Sequence, residues 1–588
     1  MHLQHKFIER LLSGKNIRYI LTLIIFLSLV ILSGQIFSQE RFLGGETNIK
    51  PFTLHGSAHV SGQFYNTNGI RNRRAPALGE GGIDLNFSVF GIRSGINLLY
   101  SSDNPKLRQN MNKFSFSGQW KFISLSVGTV SPSFSKYSLS GATITGGDII
   151  INPGIFYLEI TGGRSKRAVK PDSGLGFRGA AYAQQMYAAK IGLGNQDGSH
   201  FFLSAIYAKD DTNSIKNTNS IKPQANISLT PDLEIRLFNN RFALKGQVTV
   251  SAFTEDLRSK KIDVSNSGVP SFLTNIFTPQ VSSRINYAGD LGVSLNLTNM
   301  SLQFGYIRIQ PGFHSLGISD IRNDQQKYNA QTQFRIFNNK LNIGGNYSRS
   351  EDNLLGDRIS TQQTSNYGIN VNARITKRFN INSSYTLLVN DVNPTTVYSD
   401  TASTVIKSSQ NAQTIMLQPT LSFQTGTEMH NISLTGTYIS LSNHISGISG
   451  ISNQNFDSKT YTSSLAYSLS FRSGLAINLV GNYLKSDAGN TSTSNTGGNL
   501  GVTYAFFNRK ITSNFNFGLH RNFTERTTGG INVSTKMRQI IFNLNFSYRL
   551  THSDNLTLSA RRLDNSTIEG GGYSFIENEA RLIFQHSF

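Results

Sequence analysis

A chain of 588 residues with no cysteine excludes a disulfide-stapled scaffold and any thiolate metal or redox centre. Only 15% of its residues are charged, against roughly a quarter in ordinary soluble domains, and 53 glycines sit among abundant Ser, Thr, Asn and Gln. With 39 Phe and 22 Tyr the chain is too aromatic for disorder, so a formal charge of +21 is carried by an all-β protein with one wet and one apolar face.

The first element is a leader. Residues 1–18 carry Lys6, Arg10, Lys15 and Arg18, an apolar run follows from Tyr19 to Leu32, and Ser33 to Gln39 is mostly small and polar. Basic, apolar and small-polar regions in that order read as a secretory signal peptide, residues 1–38, with no cysteine behind it for lipoprotein processing. A short N-terminal segment, 39–51, leads to strand signals that begin near Phe52. Beyond residue 40 no apolar run is long enough for a membrane helix, so any membrane crossing is made by strands.

From Phe52 onward, short turns and longer polar loops alternate. Turns fall at Gly91, Lys121, Pro153, Gln196, Asn239-Asn240, Thr298-Asn299, Asn338-Asn339, Thr376-Lys377, Thr425 to Thr427, Arg472 to Gly474, Asn508-Arg509 and Thr551 to Asp554. Between them lie loops 66–82, 101–111, 131–138, 164–180, 211–223, 255–283, 311–324, 351–362, 391–410, 442–458, 486–494 and 522–536. The intervening strands read as about ten to fourteen residues, longer than those of a soluble sandwich. Their side chains alternate: Leu500, Val502, Tyr504 and Phe506 share one parity, as do Phe515, Phe517 and Leu519, and Phe542, Leu544, Phe546 and Tyr548. Asn514, Asn516, Asn543, Asn545 and Arg549 hold the opposite parity. The expectation is a large antiparallel transmembrane β-barrel over residues 52–588, of about 22 to 26 strands, with short periplasmic turns and long extracellular loops. Aromatic residues fit two interfacial rows: Trp120, Phe238, Phe337, Phe379, Phe423, Phe471 and Phe507 beside the turns, and Tyr65, Tyr100, Tyr207, Tyr306, Tyr347, Tyr438 and Tyr483 near the loops.

The last strand runs Ala580-Arg581-Leu582-Ile583-Phe584-Gln585-His586-Ser587-Phe588. Its alternation and terminal phenylalanine resemble the C-terminal signal of Gram-negative outer-membrane β-barrel proteins. That resemblance implies an outer-membrane location and recognition by the barrel-assembly machinery, with Leu582, Phe584 and Phe588 at the signal positions. His586 departs from it, standing where an apolar or aromatic residue is usual.

No residue spacing points to catalysis, a cofactor or a metal. There is no His-Glu-x-x-His and no phosphate-cradling loop, and the glycine pairs 44–45, 81–82, 146–147, 162–163 and 571–572 read as turns or barrel bends. His520 reads as a hydrogen-bonded lumen residue, and the pairs Asp210-Asp211, Glu255-Asp256 and Glu351-Asp352 as solvated rim charges. The cations do not form a run interleaved with stacking aromatics, which argues against nucleic acid. Several lie in short turns, among them Lys121, Arg241, Lys340, Lys377, Arg509 and Lys510, where they meet membrane lipid, a periplasmic partner or anions at the pore mouth. Arg164, Lys166, Arg167 and Lys170 form a basic loop suited to contact lipopolysaccharide or to guide an anionic ligand.

The leading functional expectation is passage of solutes or macromolecules across the outer membrane. The alternative is a structural or adhesion barrel without transport. Strands starting near Phe52 leave no room for a separate plug domain, so a wide lumen is filled by the long loops, 255–283 above all, or by a partner protein.

Overall fold

The computed structural model describes residues 52–102, 112–170, 180–215, 221–263, 277–395, 407–446 and 454–588. The leader 1–38 and the segment 39–51 lie outside the described residues. Twenty-six strands form one sheet in which each strand pairs antiparallel with its neighbours, and the last, Phe575–Ser587, pairs with the first, Phe52–Asn68. Among the described residues there is no helix. The sheet is therefore a closed barrel, which removes the free edges an open sheet would leave unpaired.

Each short turn expected from the sequence joins two neighbouring strands. Three of them share an unusual backbone, with three consecutive residues in the left-handed region: Phe238, Asn239 and Asn240 (φ 53°, 55° and 64°), Phe337, Asn338 and Asn339 (52°, 53° and 63°), and Phe507, Asn508 and Arg509 (48°, 53° and 66°). Asparagine tolerates this region because its side chain bonds locally, whereas phenylalanine does not, at about 1–2 kcal/mol per residue. The strained phenylalanines are strongly exposed, and a cation follows each Phe within three residues, at Arg241, Lys340 and Arg509. Aromatic and cationic side chains are thus held at one rim, where lipid headgroups meet the turns.

At the opposite rim the strands run further than their hydropathy suggests. The hairpin Ile511–Thr528 and Ile531–Arg549 closes on Gly529-Gly530, so most of 522–536 is paired strand and not loop. The same holds for 486–494 and for much of 442–446 and 454–458. The physical reason is that these extensions are mostly polar on both faces, with only scattered apolar residues such as Phe523, Ile531 and Val533, so the ladder continues without the alternation that marks its membrane part. Glycines permit one tight strand approach: a Cβ at Gly146 would run into the carbonyl oxygen of Gly162 on the neighbouring strand.

Candidate functional site

The two faces of the wall differ in a way that fixes its solvent. On the strands Ala225–Leu237, Phe242–Thr254 and Ser283–Asn296, Leu229, Val250 and Ile285 are 48%, 46% and 63% exposed. Thr230, Thr249 and Ser251, of the other parity, are 0–1% exposed. Thr230 and Thr249 bond each other at 2.8 Å, and Asn226 donates to Ser251 at 2.7 Å. A closed barrel greasy outside and polar inside matches lipid outside and water or protein inside. This is an outer-membrane-type β-barrel.

Tyrosines mark one edge of the apolar exterior, with cross-strand ring pairs Tyr306–Tyr328, Tyr347–Tyr367 and Tyr438–Tyr461 at 4.9–5.1 Å. Tyr65 does not belong to this row. It has the parity of Ser61 and Gln63, opposite to the exposed Val60 and Phe64, and is buried on the inner face.

The candidate site is the filling of the barrel. Segment 131–143, which follows the strand Ile123–Val130, and segment 310–324, which follows Met300–Ile309, both fold inward from the rim opposite the short turns. Among the described residues, all the buried apolar ones except Tyr65 lie between Val130 and Leu316. Phe134, Leu139 and Leu316 from these segments pack against the wall residues Met186, Ile206 and Phe253, and Phe313 and Tyr137 pack against Ala288 and Ile309. The segments also pair with each other, Gly317 beside Leu139 and Ile318 beside Ser140, and Ser315 donates to the Ser138 carbonyl at 2.7 Å.

Polar side chains of the wall hold this insert. Lys190 donates to the Ser133 carbonyl at 3.2 Å and lies 3.8 Å from Glu159. Its ammonium is surrounded by the rings of Phe134, Tyr157 and Phe202 at 4.9, 5.8 and 5.9 Å. Tyr157 donates to Glu159 at 2.7 Å. Lys136 of the insert pairs with Asp290 at 2.9 Å, and Ser135 meets Gln247 at 2.6 Å. From the second segment, the carbonyl of His314 accepts from Ser251 at 2.6 Å, and the Leu316 amide donates to Asn226 at 3.2 Å. The His314 ring lies 4.4 Å from Phe253, and burial, with Arg284 and Lys166 nearby, holds its pKa below the usual histidine value. On the turn side of the insert, Lys190, His200, Asp232, Glu234, Lys245 and Asp290 line a polar cavity of about 240 Å³.

Away from the insert the inner wall is half-buried and carries many amide and hydroxyl side chains, with charged pairs such as Arg581–Glu80 at 3.0 Å by the closing seam. Gln362 donates to Asn390 at 2.8 Å, Ser464 to Asn482 at 2.8 Å and Asn514 to Thr503 at 2.7 Å. His520 meets Asn499 at 3.3 Å, the lumen role expected for it. Phe515, Phe542 and Leu544 are exposed on the outer face, so the expected parity holds.

The remaining sequence candidates are dispersed. Arg164 is exposed and shares the outward parity of Ile160, Lys166 and Arg167 are half-buried, and Lys170 is exposed. Leu582, Phe584 and Phe588 face outward beside the closing seam, and His586 bonds Asp554 at 2.7 Å, which accounts for a polar residue there. Asp210 is no solvated rim charge: it is buried and accepts from Gln184 at 2.8 Å and from the Gln224 amide at 3.0 Å. Glu255 pairs with Lys222 at 2.6 Å, and Asp256 with Arg258 at 2.9 Å, which holds the Asp256 carboxyl below its ordinary range. Among the described residues no three His, Cys, Asp or Glu gather as a metal site. Among the described residues the segments folded into the lumen are 131–143 and 310–324, and 264–276, the middle of the loop expected there, lies outside the described residues.

No protein-family model and no curated protein matches the chain. Among solved structures it is similar to the P pilus usher PapC translocation pore at 11% identity and a TM-score of 0.31, covering 91% of this chain and 99% of that one. It is also similar to Acinetobacter baumannii OccAB2 at 11% identity and 0.28, covering 62% and 92%, and to Pseudomonas aeruginosa OpdK at 8% and 0.28, covering 62% and 94%. Likenesses this low leave the closed barrel to rest on its own strand pairing.

Proposed function

We propose that the chain is a constricted pore that passes polar solutes across the outer membrane. The observation that carries this reading is the insert of segments 131–143 and 310–324, anchored to one arc of the wall while the opposite arc presents half-buried Gln, Asn, Ser and Thr. An insert of this kind narrows a wide barrel, and polar walls favour hydrated solutes over apolar ones. Conductance of the full chain in a planar bilayer tests the proposal. Discrete ion-conducting steps are expected, and a bilayer that stays at baseline with correctly assembled protein would refute it and favour the structural or adhesion role. Guidance of anions by Arg164, Lys166, Arg167 and Lys170 belongs to the same reading. Neutralising the four together should shift the reversal potential towards cations at low salt and less at high salt, and an unchanged potential would remove them from the pathway.

A further inference from the structure

The outer face of the hairpin Ile511–Thr528 and Ile531–Arg549 carries a pattern that transport does not explain. Its outward cross-strand pairs, read from the short-turn end, are Ile511/Tyr548, Ser513/Phe546, Phe515/Leu544, Phe517/Phe542 and Leu519/Ile540, followed by Arg521/Arg538 and Phe523/Lys536. Ten residues separate Ile511 from Arg521. At about 3.4 Å per residue and a tilt of about 40°, that places the arginines roughly 26 Å above the turn end. The apolar band of such barrels is about 25 Å tall, so the arginines stand at its upper edge, at the level of the outer-leaflet headgroups.

Two like charges directly opposite each other in an antiparallel pair repel. Arg521 and Arg538 are both exposed, and among the described residues neither is in an ion pair. On the next strand, Asp554–Glu569, Arg562 lies opposite Phe542 and is also outward and exposed. Of the outward acids nearby, Glu569 pairs with Lys536 at 2.5 Å, Asp564 accepts from Ser566 at 2.7 Å, and Glu525 lies four residues beyond Arg521 towards the strand end. Beside and below the arginines an apolar groove of about 540 Å³ crosses the closing seam. Ala560 and Ala580 are small residues within it, Phe64, Phe515, Phe542 and Leu544 border it, and Arg562 stands at its edge.

We propose that this is a lipid site: Arg521 and Arg538 bind the phosphorylated headgroup of an outer-leaflet lipid, and its acyl chains lie in the groove over Ala560 and Ala580. The bidentate fork of arginine matches phosphate oxygens, and a bridging phosphate turns the Arg521–Arg538 repulsion into two attractions. Apolar chains then cover the groove that protein leaves open.

Native mass spectrometry of the full chain, with the bisphosphorylated glycolipid lipid A and with its dephosphorylated form, tests the site. Wild type should retain lipid A at least tenfold more than the dephosphorylated form. R521Q/R538Q should abolish most of that preference, whereas A560F, which fills the groove and keeps the charges, should lower retention of both lipids. Inorganic phosphate at the same concentration should not compete. Equal retention of the two lipids by wild type would overturn the proposal whatever the variants do. So would full competition by inorganic phosphate, which would mark an anion site without a lipid.

Discussion

Lys190→Met tests whether the insert is held as described. The substitution keeps the side chain's bulk but removes its charge. Lost with it are a charge-assisted hydrogen bond to the Ser133 carbonyl, about 1.5–3 kcal/mol, and a cation among three rings, about 0.5–2 kcal/mol. Glu159 stays buried, with Tyr157 as its remaining partner. Removing one member of a buried pair costs about 3–5 kcal/mol, part of which the assembled barrel absorbs, so about 3 kcal/mol is assigned to docking of segment 131–143. At about 1.4 kcal/mol per decade the undocked population should rise by roughly a hundredfold. Single-channel recording should show larger or flickering conductance, and cross-linking between cysteines placed at Ser135 and Gln247 should fall. Adding Glu159→Gln removes the orphaned charge and should recover part of the docking. Unchanged conductance and cross-linking in Lys190→Met would refute the anchoring role, and absence of any rescue would refute the coupling to Glu159.

Acid should loosen the second segment. The docked His314 titrates below about 6.5, so the released segment takes up a proton first, and docking weakens as pH falls through 6.5 while staying constant above it. Conductance fluctuations that rise between about pH 7 and pH 5 in wild type and not in His314→Gln would bear this out, and identical profiles would count against it. Single cysteines at Asn543 and Leu544 should differ in labelling by a lipid-soluble thiol reagent, with Leu544 reactive and Asn543 protected, since a shift of one residue exchanges the faces. Gly146→Val should block assembly, because its side chain meets the Gly162 backbone, and a normally folded yield in vesicles would show that the strands can part there.

How far the sequence reveals this molecule depends on which physical signal each part carries. The short turns are legible because Asn508-Arg509 and Asn338-Asn339 place turn-forming residues between alternating strands, and parity alone puts Phe542 and Leu544 outside. Strand ends beyond the membrane are illegible by hydropathy: in 522–536 apolar residues are scattered over both faces without alternation, although the ladder continues. Tyr65 has the residue type of an interfacial row, whereas its parity with Gln63 puts it on the inner side. The insert lacked a periodic signal, since polar wall residues such as Asn226 and Thr249 look alike whether water or protein covers them. One clue was present: Phe134, Tyr137 and Leu139 are large apolar residues in a segment otherwise read as an exposed loop.

The contact between Ser138 and Ser315 sets an order on biogenesis. These residues are 177 positions apart, and the wall beneath segment 131–143 is complete only when the strand Met300–Ile309 is in place. Closing a connection of that length costs about 2 kcal/mol more than closing one of about 20 residues, a modest sum in entropy but a long wait in time. During that wait Phe134, Tyr137 and Leu139 are uncovered inside a half-built sheet. Chains stalled before residue 310 should therefore expose this segment to protease, and completed ones should not.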